Sequence, residues 1–208
     1  MASPIPFWNH LGIERLNKQM FNEKLGQQVA DSDFASIARR LFVMNGFDGS
    51  LTLLGIIAGS FTAGITNHAY VIGSGLGACL AMGISGMTGA YLTESAERER
   101  ELKRLEKAML RDLRGSVHGA ASRIIPILTA LVDGLAPTLT GCITLLPFFF
   151  GFNINMAYRL GLVLNMGTLF LLGSYLGRVS KRNIMYNGFK MLLVGLFTAL
   201  LLGFIGTL

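Results

Sequence analysis

Charge is what this chain has least of. Asp, Glu, Lys and Arg make up 14% of its 208 residues, against about a quarter in an ordinary water-soluble domain. The scarcity is uneven: Leu41 to Tyr91 holds only Asp48, Ile124 to Tyr158 only Asp133, and Met191 to Leu208 no such residue at all. Apolar stretches of that length exclude a typical soluble fold and read as bilayer spans, each needing about 20 residues. Cysteine is nearly absent as well. Cys79 and Cys142 both fall inside apolar stretches, which excludes a disulfide framework and a zinc site set by spacing. His10, His68 and His118 stand alone, with no second histidine at metal-ligand spacing. A secretory signal is missing too, because Glu14, Lys18, Glu23 and Lys24 interrupt the place its apolar core would need, so the N-terminus is expected to be retained.

What is present is a basic excess, a formal net charge of +6. The lysines and arginines sit at the ends of apolar segments and are not interleaved with aromatics as a nucleic-acid platform would require. No nucleic-acid partner is expected. The pattern predicts an all-α integral membrane protein in contact with lipid, with five transmembrane helices over about 41–65, 71–92, 124–150, 157–176 and 188–208. Residues 1–40 form an amphipathic cytoplasmic segment, in which Trp8, Ile13, Leu16, Met20 and Phe21 alternate with Arg15, Lys18 and Lys24. Asp31, Ser32 and Asp33 supply N-cap chemistry for the helix that follows. After Tyr91 the composition turns to TESAERERELKRLEKAMLRDLRG, which predicts a charged cytoplasmic helix over about 93–118, with Glu94 and Arg98, and Glu99 and Lys103, at i,i+4 spacing.

Orientation follows from the loops, since lysine and arginine are retained on the cytoplasmic side. Arg39, Arg40, the 98–123 cluster, Arg178, Lys181, Arg182 and Lys190 gather on one side and Arg159 alone on the other. The N-terminus is therefore expected in the cytoplasm and the C-terminus outside, or in the lumen if the membrane belongs to an organelle.

Two acidic residues lie inside the spans. Asp48 is eight residues past Arg40 and Asp133 ten past Arg123, which places each on the order of 12 to 15 Å beyond its last cytoplasmic charge. An ionisable group there costs at least about 2.5 kcal/mol and as a rule faces a pathway or a partner. Both open similar strings, DGSLTLLGII and DGLAPTLTGCI, on helices crossing in the same direction. The alternative is a protonated carboxyl hydrogen-bonded to a neighbouring helix. Met44, one helical turn before Asp48, and Met82 and Met87 in the second span offer thioethers, and carboxylate with thioether suits a divalent transition metal; packing in lipid is the plainer role for methionine. Glu94, Glu97 and Glu101 form an acidic stripe that could collect cations, or a solvated, salt-bridged face.

The strings FDGSLTLLGIIAG, GISGMTGAYLTESAERERE, LTGCITLLPFFFG and GFKMLLVGLFTALLLGFIG resemble the vacuolar iron transporter family from about Asn45 to the end of the chain. The resemblance implies a five-helix secondary transporter rather than an enzyme, moving Fe2+ or Mn2+ out of the cytosol in exchange for protons, with the metal as cargo and no cofactor. It implies that Asp48 is a translocation residue faced by a second-span methionine. Here the family's methionine falls at Gly86, beside Met87, and a usual glutamate at Ala90. The family's three-helix cytoplasmic metal-binding domain has room here only for its first helix, roughly where Glu94, Glu97 and Glu101 lie.

The expectation is a homodimeric divalent-metal transporter whose metal residues are drawn from Asp48, Met44, Met82, Met87, Glu94, Glu97, Glu101 and Asp133. The competing reading is a non-transporting membrane scaffold whose charged helix docks a soluble partner. A phospholipid-headgroup transferase, suggested by DG in a span, lacks the further aspartates such a site needs around Asp133.

Overall fold

The computed structural model describes residues 20–27, 29 and 34–205. Among these residues every regular element is a helix. Residues 20–27 are helical (α1), followed by α2 (Phe34–Thr62), α3 (His68–Met109), α4 (Val117–Phe149), α5 (Ile154–Val179) and α6 (Ile184–Ile205). Helices α2 to α6 are each long and apolar enough to cross a membrane, so the five-span, all-α architecture stands. Most of the amphipathic segment, and the caps at Asp31, Ser32 and Asp33, lie outside the described residues.

The element ends depart from expectation where solvent changes but the backbone does not. The second span and the charged helix are one uninterrupted helix of 42 residues, α3. The composition change at Tyr91 swaps apolar side chains for Glu, Arg, Lys, Leu and Ala, which are all good helix formers, so nothing stops the helix there. It ends at Met109, short of 118, because Leu110 turns to φ 52° and the chain reverses. Glu106 Oε1 accepts the Leu113 backbone N–H at 3.0 Å, and α4 restarts at Val117. At the opposite ends of the spans, Gly64 and Gly151 both take φ +68° just past a helix C-terminus, the left-handed stop that glycine adopts without a Cβ penalty.

The chain divides into two compact units. The larger, Ala38–Ala90 with Ala130–Leu208, has a core to which four helices contribute: Leu53 and Ile57 from α2, Val71 and Cys79 from α3, Leu145 and Phe148 from α4, Ala157 and Tyr158 from α5. Phe148 and Tyr158 meet edge to face at 5.2 Å, and the Tyr158 hydroxyl donates to the Ile65 carbonyl at 2.9 Å. Polar ties cross the same core. The fully buried Asn165 donates to the Ser50 carbonyl at 2.8 Å and to Thr144 Oγ1 at 2.9 Å, while Thr140 Oγ1 donates to the Gly46 carbonyl at 2.9 Å. Backbones approach closely where glycine permits, as small residues allow in lipid. A Cβ at Gly49 would stand 2.6 Å from Pro137 Cα, and one at Gly173 would stand 2.5 Å from the Asn187 carbonyl oxygen.

The smaller unit, Met1–Ile37 with Tyr91–Thr129, is dominated among its described residues by the charged end of α3. Its helix face is laced by i,i+3 and i,i+4 ion pairs: Arg98 with Glu94 at 2.8 Å and with Glu101 at 3.0 Å, Arg100 with Glu97 at 3.8 Å, and Lys103 with Glu99 at 2.7 Å.

Candidate functional site

The sequence-predicted residues separate into groups. Asp48 lies on the exposed face of α2, in line with Met44 one turn before it and Thr52 one turn after it. The reason is local: Val43, Gly46, Gly49, Ser50 and Leu53 are buried, so the opposite face of α2 is the one applied to α4, and the 44–48–52 stripe points outward. Among the described residues none hydrogen-bonds or ion-pairs with the Asp48 carboxylate.

Asp133 is the reverse case. Its side chain is only 7% exposed, and Asn45 Nδ2 donates to its Oδ1 across the α2–α4 interface while also reaching the Leu41 carbonyl at 3.1 Å. Gly86 of α3 faces the same carboxylate: a Cβ there would lie 2.9 Å from Asp133 Oδ2 and 3.4 Å from the Asp133 carbonyl oxygen. That carbonyl has a second peculiarity, since the residue four places on is Pro137, which has no N–H to return to it. Met87 reaches the same spot, its sulfur 3.0 Å from where a Cβ of Gly134 would be. The structure therefore gathers Asp133, Asn45, Met87 and the side-chain-free Gly86 at one place.

Met82 goes elsewhere, packed half-buried against the four-helix core cluster. Glu94, Glu97 and Glu101 each have an arginine partner, and Arg98 stands between Glu94 and Glu101 where a bound cation would stand. Among the described residues no three His, Cys, Asp or Glu side chains converge as a metal cage. The salt-bridged face is what the structure shows on that helix.

Nothing in the sequence marks Asn45, Gly86 and Pro137 as neighbours of Asp133. An amide inside an apolar span, three residues before Asp48, was the available signal; that its partner lies 88 residues away was not readable from spacing.

Residues 101–207 match the model of the VIT family. The chain belongs to that family. An uncharacterized protein of Methanocaldococcus jannaschii is 32% identical over 165 residues, which cover 78% of this chain and 85% of that protein. Membership of the VIT family, with five membrane-crossing helices, makes this chain an integral membrane protein for metal-ion transport, and a transporter rather than an enzyme.

Proposed function

We propose that this VIT-family chain moves a divalent transition metal, Fe2+ or Mn2+, out of the cytosol in exchange for protons, as a homodimer in which Asp48 lines the pathway. The supporting observation is the position of Asp48: it lies mid-span on an exposed helix face, with no partner of its own among the described residues. A carboxylate at that depth does not face hydrocarbon; it faces a cavity or a partner. The cavity is completed by the second copy. Met44, 52% exposed on the same stripe, adds a thioether beside the carboxylate, a ligand pair that suits a borderline metal ion.

A face suited to that second copy exists on α3. Gly73, Gly77, Ala81 and Ser85 recur every four residues, all are exposed, and among the described residues a Cβ at Gly73 or Gly77 would meet nothing within 4 Å. Small residues at that period let helices approach closely in lipid. Asp133, held by Asn45 and flanked by Met87, is a further carboxyl able to take a proton or an ion inside the bundle. Glu94, Glu97 and Glu101 act as a weak gathering surface on the cytoplasmic side, in competition with their arginines. The N-terminus lies in the cytoplasm and the C-terminus outside or in the lumen.

The test is uptake of Fe2+ and of Mn2+ into liposomes carrying the parent or Asp48→Asn, with a pH-sensitive dye inside. The parent carries metal with counterflow of protons. Asp48→Asn keeps the dimer and loses flux; equal transport by the two overturns the assignment of Asp48.

A further inference from the structure

The two cysteines are 63 positions apart in sequence and lie on different helices, yet the fold brings them together. Cys79 on α3 is 1% exposed, and the thiol of Cys142 on α4 is among the groups that act on it electrostatically. The helix packing puts the Cys79 sulfur beside the residue that precedes Cys142. A Cβ at Gly141, the residue before Cys142, would lie 2.5 Å from Cys79 Sγ, and Thr138 Oγ1 donates to the Cys79 carbonyl at 3.3 Å. The sulfur of Cys79 thus rests on α4 in the gap that Gly141 leaves. Cys142 is half-buried and stands between Leu139 and Ile143, both exposed on the outer face of α4.

We propose that Cys79 and Cys142 form a two-thiol site between α3 and α4 that takes a soft divalent d10 cation of the mercuric class. Thiolate is the soft ligand that selects such ions. Charge explains why a divalent ion fits best, because two thiolates and one dication make a neutral unit, and an uncompensated charge is expensive in an apolar interior. Zinc is disfavoured on coordination number: it wants four ligands, and among the described residues no third His, Cys, Asp or Glu stands with the pair. Fe2+ and Mn2+ favour harder ligands than a bare thiol pair, so this site is separate from the Asp48 stripe and does not rest on the transport reading. Neutral mercuric chloride reaches the half-exposed Cys142 from the lipid side. The reaction is an exchange without oxidation: HgCl2 and two thiols give the bis-thiolate complex, two protons and two chlorides. The product links α3 to α4 at mid-span.

The experiment is a titration of the purified full chain with mercuric chloride in detergent. Its readouts are mercury bound after a wash with excess glutathione, the mercury–thiolate charge-transfer absorbance, and the thiols still open to maleimide after denaturation. One wash-resistant mercury per chain with both thiols blocked is expected. In Cys79→Ser and Cys142→Ser the glutathione wash removes the metal, because a single protein thiol no longer chelates it. Two mercury ions per chain, one thiol left open at equivalence, or wash-resistant mercury in either variant overturns the proposal. If a variant does not elute as the parent does, the thiol count on the parent decides the matter.

Discussion

Asn45 on α2 donates its side-chain amide to the buried carboxyl of Asp133 on α4. One helix thereby carries an amide that satisfies a carboxyl of another, and does so three residues from the exposed Asp48. The two membrane aspartates look alike in sequence but differ in kind: Asp133 is held inside the bundle, and Asp48 is left open at its surface.

Asn45→Ala removes the donor and leaves the Asp133 oxygen buried without it. Such an orphaned polar group costs about 1–3 kcal/mol. The thermal melt of the purified variant is expected to fall by several degrees, whereas Asn45→Gln, which keeps an amide, recovers part of the loss. A melt of Asn45→Ala equal to the parent's would show that the pair carries no stability.

Gly86 and Asp133 compete for one space, since even a methyl group on Gly86 would come to 2.9 Å from the carboxyl. The resemblance to the family places a methionine at this position. Gly86→Met is therefore expected to destabilise the chain strongly on its own and much less together with Asp133→Ala. A double-mutant cycle on thermal melts measures the coupling, and strict additivity of the two changes would contradict the shared space.

The architecture was legible because the bilayer imposes it: long apolar stretches between charges allow few alternatives to five spanning helices. The strings around Asp48 and after Met191 carried the family as well. What could not be read was which way each helix faces. Gly75, Gly83 and Gly86 pack against neighbouring atoms, but a Cβ at Gly73 or Gly77 on the same helix, or at Gly59 on α2, meets nothing within 4 Å among the described residues. Sequence spacing marks a face without saying what covers it. The end of the second span leaves no mark on the backbone either, because the change from lipid to water alters side chains while α3 runs on to Met109.

On the proposed homodimer, the outward face of α3 is the candidate interface. Gly77→Leu adds a bulky side chain where a Cβ meets nothing within 4 Å among the described residues, so the monomer fold and its melt are expected to persist while the proposed dimer dissociates. Size-exclusion with light scattering in detergent reads both. A dimer undisturbed by Gly77→Leu would remove this face from the interface.

Acid affects the charged end of α3 with a definite sign. Glu99 lies below the ordinary carboxylate range because the Lys103 ammonium hydrogen-bonds and attracts its carboxylate, and Asp112 lies below it because the Arg114 backbone N–H donates to it at 2.9 Å. Both groups are stabilising when ionised. Their contribution is complete above the ordinary carboxylate range and is lost as pH falls from that range through the lowered values. A titration of labelled carboxyl carbons should give midpoints for both below those of free side chains, and Lys103→Ala should return Glu99, but not Asp112, toward the ordinary value. A Glu99 midpoint indifferent to Lys103→Ala would refute the cause.

Arg98 decides how well the acidic stripe can hold metal. Its guanidinium bonds Glu94 at 2.8 Å and Glu101 at 3.0 Å, and the Arg98 and Glu94 side chains are each only 15% exposed. A divalent ion entering there must displace a cation already bound by two carboxylates. Arg98→Gln removes that competitor and leaves Glu94 and Glu101 on one face of the helix, a turn or two apart. Manganese binding to the full chain, measured by loss of the free-ion paramagnetic resonance signal, is expected to strengthen several-fold in Arg98→Gln. The gain should vanish when Glu94→Gln is added. Transport through the membrane unit is expected to change little at saturating metal, since Asp48 is untouched. Binding that weakened in Arg98→Gln would mean that the arginine organises these carboxylates for the ion instead of occupying its place.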